Sequence, residues 1–475
     1  MPKKILQRTT IAALLLVGGA SAALALQPPE LLRVGANYSA KIVCSNVFIA
    51  GRDAQAVLAD DVQAPGHPLL KFLRVKVDKE KQTVSAKLLG LFGNGLAVYR
   101  PGTGCAVVPD GDVEQARRYQ FTPEPIKPGA VDAPWPQGRE ADLSLVPLTA
   151  LQQPELTGPG ARAVVVIHKG QLVGSYYAQG YNDNTPLLGW SMTKTVTAAL
   201  IGMLIKDGKL SMAHNGFWPG QSDPRHAITL AQLMSMSSGL EYNEGYGDVS
   251  DVTRMLYLEP DMASYTASKP LAHAPGSHWN YSSGTTVLLS RIWQRAAAGA
   301  GSATDAATLS FAHNRLFTPL GMRTAVLEAD ARGNLVGSSY MYASAQDWAR
   351  FGQFLLQDGV WQGQRLLPEG YVRMMQQAAP ASGGQYGQGQ LWRWGPSGAS
   401  SGGANPDAAF QLPADTYWME GHDGQSITII PSQELVVVRL GLTPSSLHYQ
   451  PQALVAAILK ALPVATLADK ARARP

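Results

Sequence analysis

Three features of the sequence predict an α/β (α+β) protein: one antiparallel sheet flanked by helices, with a helical subdomain and a small strand-rich segment ahead of them. Ala163 to Ile167 and Gln171 to Tyr177 are β-rich runs flanking His168-Lys169-Gly170, which reads as a hairpin with a tight glycine-containing turn. A second hairpin reads from Ser426 to Ile430 and Leu435 to Leu440 across the turn Pro431 to Glu434. Between them Ser191 opens the run T-K-T-V-T-A-A-L-I-G-M-L-I-K-D-G, apolar nearly all round until Lys206 and stopped at Gly208. A helix apolar on every face is a buried one, and glycine suits the left-handed position that ends it. Strands at both ends of a region with helices between them assemble into one sheet with a helical flank.

At 475 residues with 45% apolar content the chain is long enough for one large catalytic domain and an accessory segment. Residues 1-25 read as a secretory signal: Lys3, Lys4 and Arg8, then the apolar run Ile11 to Val17, then small residues ending at Ala23-Leu24-Ala25. The alternative, an uncleaved anchor, needs ~20 apolar residues, more than this glycine-interrupted run supplies. An exported protein, periplasmic or secreted, is expected, with no stable membrane insertion after cleavage. Removing those three cations from the 39 basic residues leaves 36 against 35 acidic ones, a balance of +1. The tail 466-475 carries Lys470, Arg472 and Arg474, a small solvated cluster, and nothing points to nucleic acid.

Residues 26-120 read as the strand-rich N-terminal segment, with β-like runs at Ala40 to Ile49, Leu73 to Val77, Thr83 to Leu89 and Leu96 to Tyr99. Its two cysteines, Cys44 and Cys105, can pair in an oxidising compartment, and a disulfide is favoured over two buried thiols. Two cysteines make no zinc site unaided and none of the nine histidines forms an H-x-x-x-H pair, so no metal and no cofactor is expected. A proline-dense linker follows at 121-145, then the main domain at 146-465, with further helices at Thr229 to Met236, Thr285 to Ala297 and Ala345 to Gln357.

Ser191 and Lys194 form S-x-x-K, a spacing that puts both on one helix face. A free lysine is protonated near neutrality and useless as a base, but burial in the apolar helix lowers its pKa, as an activated serine requires. The unpaired N–H groups of the helix N-terminus favour an oxyanion beside Ser191. The plainer alternative makes Ser191 an N-cap and Lys194 a surface residue. Of all the lysines, only Lys194 has a serine three residues before it. Gly398 to Gly402 also satisfies G-x-S-x-G around Ser400, but lacks the strand before and helix after that a nucleophile elbow needs. The loop Glu241 to Asp251, with Tyr242, Glu244, Tyr246 and Asp248, is polar and aromatic enough to line a substrate cleft.

From about 160 to 445 the chain resembles the penicillin-recognising serine hydrolases, and within them most closely the 6-aminohexanoate-dimer hydrolase and family VIII esterase branch. The words that carry the resemblance stand in order: A-V-V-V-I-H-K-G-Q-L-V, W-S-M-T-K-T-V-T-A-A-L, I-T-L-A-Q-L-M-S-M-S-S-G-L, P-G-S-H-W-N-Y-S-S-G, Y-M-Y-A-S-A-Q-D-W-A-R-F-G and G-H-D-G-Q. The resemblance implies a β-lactamase/transpeptidase-like fold, with Tyr281 in place of the Y-x-N tyrosine relaying a proton. A neighbouring cationic lysine is expected to lower the pKa of that phenol. Ser283 stands where class C β-lactamases have asparagine, and His422-Asp423-Gly424 where the family has K-T-G. The backbone N–H groups of Ser191 and Gln425 are the expected oxyanion hole, and His422, Asp423, Gly424, Ser283 and Tyr246 the expected substrate contacts.

The expected function is therefore hydrolysis of a small-molecule ester or linear amide through an acyl-enzyme on Ser191, with Lys194 and Tyr281 moving protons. The alternatives are a β-lactamase or D-Ala-D-Ala carboxypeptidase, which the missing K-T-G lysine disfavours, and an inactive binding module that keeps the cleft.

Overall fold

The computed structural model describes residues 27–127, 133–138, 151–397 and 404–462. The signal, the tail, much of the linker and the G-x-S-x-G run around Ser400 lie outside the described residues. The N-terminal segment begins with helix α1, Glu30–Phe48, followed by the antiparallel meander β1 (Leu73–Asp78), β2 (Thr83–Leu88), β3 (Phe92–Arg100) and β4 (Gly104–Val107). The strand expected at Ala40 to Ile49 is thus the second half of a helix. Ile42 and Val43 are β-branched, but Val34, Ala36, Ala40, Val43 and Cys44 repeat at helical spacing and are buried together. Glycine in β3 allows this packing: a Cβ on Gly95 would lie 2.3 Å from the Ala36 carbonyl oxygen, so the helix rests directly on the strand's backbone. The expected disulfide is present, Cys44 to Cys105 with Cα atoms 6.1 Å apart, and it ties α1 to β4.

The main sheet has the order β7-β8-β9-β5-β6, all antiparallel, where β5 is Ala161–His168, β6 Gln171–Tyr177, β7 Tyr417–Gly421, β8 Gln425–Ile430 and β9 Leu435–Gly441. Both expected hairpins are there, and β9 pairs with β5 to join them. One strand was not anticipated: β7, at the edge, pairs with β8 from Tyr417↔Ile429 to Gly421↔Gln425. Helix α2, Thr193–Lys206, is buried along nearly its whole length and ends before Gly208, whose φ is 72°. It shares an apolar core with α3 (Leu230–Met234, with a Thr229 capping box), α5 (Ser283–Ala298) and α6 (Ala345–Leu356), while α4 (Asp251–Leu258) packs against α1. Helix α7, Gln452–Ala461, buries Leu454, Val455 and Ile458 in a cluster with Val164, Val166 and Val437 of the sheet.

The N-terminal segment is fused to the rest of the molecule. Its apolar core is continuous with Trp190, Tyr242, Val252, Met255 and Leu256. The Lys41 ammonium, 1% exposed, pairs at 2.5 Å with the buried Glu328 carboxylate, which also accepts from Ser45 Oγ at 2.9 Å and the Cys105 N–H at 2.6 Å. Arg100 donates to the carbonyls of Ala329 and Asp330, and Asp61 bridges Arg52 and Arg162.

Candidate active site

Ser191 sits in the tight turn Trp190–Met192 that leads into α2. Trp190 has φ of 48°, a left-handed backbone rare for a bulky residue. The turn is wedged between neighbours that tolerate no side chain: a Cβ on Gly189 would meet the Trp348 ring at 2.2 Å, and one on Gly421 would meet the Gly189 carbonyl oxygen at 2.2 Å. The end of edge strand β7 therefore lies directly against the serine turn. The hydroxyl of Ser191 caps no helical N–H, and Lys194 is 1% exposed, so neither half of the plainer reading describes these two residues.

Lys194 Nζ donates to Ser191 Oγ at 3.0 Å, to Ser283 Oγ at 3.0 Å and to the Ser338 carbonyl at 3.1 Å. Burial lowers its pKa to about 8, against the opposing influence of the Glu244 carboxylate. Glu244 accepts from the Ser283 N–H at 2.8 Å and from Ser283 Oγ at 2.5 Å, and burial raises its pKa while Lys194 opposes the rise. Ser283 is itself fully buried, its hydroxyl taken up between Lys194 and Glu244.

The ring of Tyr281 has Lys194 Nζ 4.8 Å from its centroid, and the Ser191 side chain is near enough to influence its hydroxyl. It packs among Trp279, Tyr386 and Trp392. The expectation of a lowered phenol pKa is overturned: burial, then the Glu244 charge, push it up, and the contact with Ser191 offsets only part of that. At neutral pH Tyr281 is a phenol.

His422-Asp423-Gly424 is not part of a strand. It forms the tight turn of the β7–β8 hairpin, with Asp423 at φ 59° and Gly424 at φ 81°. The His422 ring lies 5.6 Å from that of Trp190 and 4.9 Å from that of Tyr246, and its Nε2 is 3.4 Å from Asp423 Oδ1. Tyr246 donates to Glu244 at 3.4 Å. Gln425 is buried; its side chain donates to the Gly441 carbonyl at 2.5 Å and accepts from the Gly441 N–H at 2.9 Å, locking the hairpin to the end of β9.

Within this fold residues 152–457 match the family model described as Beta-lactamase. The chain belongs to the β-lactamase family. Among solved structures, a putative 6-aminohexanoate-dimer hydrolase from Bacillus anthracis is 22% identical with a TM-score of 0.54, over 75% of this chain and 96% of that one. A putative β-lactamase from Bacteroides dorei is 17% identical with a TM-score of 0.51, over 66% of this chain and 98% of that one. These likenesses are of fold. No curated protein matches the chain in sequence.

Two hydrogen-bond acceptors of this site carried no local signal that would join them to Lys194 and Ser283: the Glu244 carboxylate and the Ser338 carbonyl. Glu244 sits 39 residues before Ser283, and Ser338 is 144 residues from Lys194. The sequence marked Glu244 only as one polar residue of a cleft-lining loop.

Proposed function

We propose that the protein is a serine hydrolase that cleaves ester or linear amide bonds through an acyl-enzyme on Ser191. The observation that carries this is a buried lysine with pKa about 8, hydrogen-bonded at 3.0 Å to the serine. Lys194 in its neutral form takes the proton from Ser191 Oγ as the Oγ–C bond forms. Tyr281, neutral and beside Ser191, donates its proton to the leaving alcohol or amine and is reprotonated from Lys194. The amides of Ser191 and Gln425 are the candidate donors to the oxyanion, and water then releases the acid. His422, Asp423, Gly424 and Tyr246 flank the substrate, with Ser283 behind Lys194. The Cys44–Cys105 disulfide supports an exported enzyme.

A fluorophosphonate is expected to form its adduct on Ser191 and not on Ser400, read by peptide mass mapping; labelling elsewhere, or none, sinks the mechanism. The missing K-T-G lysine argues against substrates held by a carboxylate. Short-chain esters or small linear amides are therefore expected to turn over with kcat/KM at least about two orders of magnitude above that for nitrocefin, equivalent to ~2.7 kcal/mol of transition-state discrimination. If nitrocefin is the better substrate, the β-lactamase reading replaces this one.

A further inference from the structure

We propose that the N-terminal segment, which lies outside the family match, walls an apolar recess at the mouth of the active site that takes the hydrocarbon group of the substrate. The proposal rests on the reading of Ser191 as nucleophile. A cavity of about 390 Å³ opens beside the serine turn, a volume in the range of small-molecule sites. One wall belongs to the catalytic domain: Trp190, adjacent to Ser191 in sequence, with Tyr246 and His422. The other belongs to the N-terminal segment: Leu31 and Val34 on α1, with Leu69 and Leu70 on the turn before β1.

Two features make this recess a binding surface. Leu69 is 40% exposed and Tyr246 42% exposed, so both present apolar area to a concavity whose wall includes Trp190, the chain neighbour of Ser191, and a substrate chain lying there would remove that area from water. The wall is also held firmly: α1 is anchored by the disulfide and by the buried Lys41–Glu328 pair, and Asn37 Nδ2 donates at 2.7 Å to the Tyr257 carbonyl on α4. The charged lining selects further. Asp248 and Asp423 border the cavity together with His67 and His422, and among the described residues neither Lys nor Arg does. A neutral or cationic hydrocarbon chain suits this lining, and one ending in a carboxylate does not.

The experiment uses two ester series with the full mature chain, p-nitrophenyl esters from acetate to octanoate and alkyl acetates from ethyl to octyl. In one of the two, kcat/KM is expected to climb by up to about fourfold per added carbon, the ratio that corresponds to ~0.8 kcal/mol per buried methylene. Leu69→Ser is expected to flatten that climb, and a terminal carboxylate on the chain to lower kcat/KM by about tenfold or more. No dependence on chain length in either series overturns the proposal, as does an undiminished climb in both Leu69→Ser and Leu31→Ser. Labelling by a methyl fluorophosphonate separates the two readings: an adduct on Ser191 with a flat chain-length response removes the recess alone, whereas no adduct removes the nucleophile.

Discussion

At the scale of single residues, the chemistry of the site turns on the burial of Lys194. Removing an ammonium from water disfavours its charged form, and no carboxylate is close enough to restore it fully, since Ser283 lies between Lys194 and Glu244. Because the proposed mechanism needs the neutral amine, kcat/KM is expected to rise with pH through an apparent pKa near 8. A flat profile from pH 6 to 9 would remove Lys194 as the base. The Glu244 charge raises the lysine pKa, so Glu244→Gln, which keeps a hydrogen-bonding oxygen but loses the charge, is expected to shift the rising limb to lower pH. Lys194→Ala and Tyr281→Phe are each expected to lower kcat by roughly 10²-fold or more with the fold retained, as read by steady-state kinetics beside circular dichroism.

At the scale of elements, the decisive contact is between the end of β7 and the turn that carries Ser191. An extended strand can approach another backbone this closely only without a Cβ, and position 421 meets that need with glycine. Gly421→Ala is expected to displace the hairpin turn from the serine turn, lowering kcat/KM by about tenfold or more while Lys194 keeps its pH dependence. Unaltered kinetics in that variant would show that the contact has no part in holding the site. The same logic explains α1. The sequence 40–49 has the composition of a strand, yet a helix forms because β3 offers a glycine-lined surface against which a continuous apolar face is buried.

At the scale of the whole molecule, the N-terminal segment and the β-lactamase-family region share one apolar core and a set of buried polar anchors. The disulfide spans a separation of 61 residues, and the chain-entropy model assigns a loop of that length about 4 kcal/mol of stabilisation. Replacing both Cys44 and Cys105 with serine is expected to lower stability by about 2–4 kcal/mol, read by denaturant unfolding. Because α1 walls the active-site mouth, this variant is also expected to lose activity on long-chain esters at a lower denaturant concentration than the wild type. Equal midpoints would mean that the cross-link constrains nothing the fold does not already hold.

The sequence by itself determined the features that depend on near neighbours along the chain. The S-x-x-K spacing on an apolar helix is one; the two hairpins and the helix that starts at Thr229 are others, because periodicity and turn chemistry act over a few residues. The burial that lowers the Lys194 pKa was legible too, since a helix apolar on all sides has no solvent face. Only the tertiary structure decided what surrounds Ser283 and Tyr281. Glu244, brought in from a loop 39 residues before Ser283, ties the serine hydroxyl to the lysine, and its charge helps burial raise the tyrosine pKa. Tertiary structure likewise made a helix of residues 40–48 and set Leu69 opposite Trp190, because burial energy is summed over contacts between segments far apart in sequence and overrides the local preference of each.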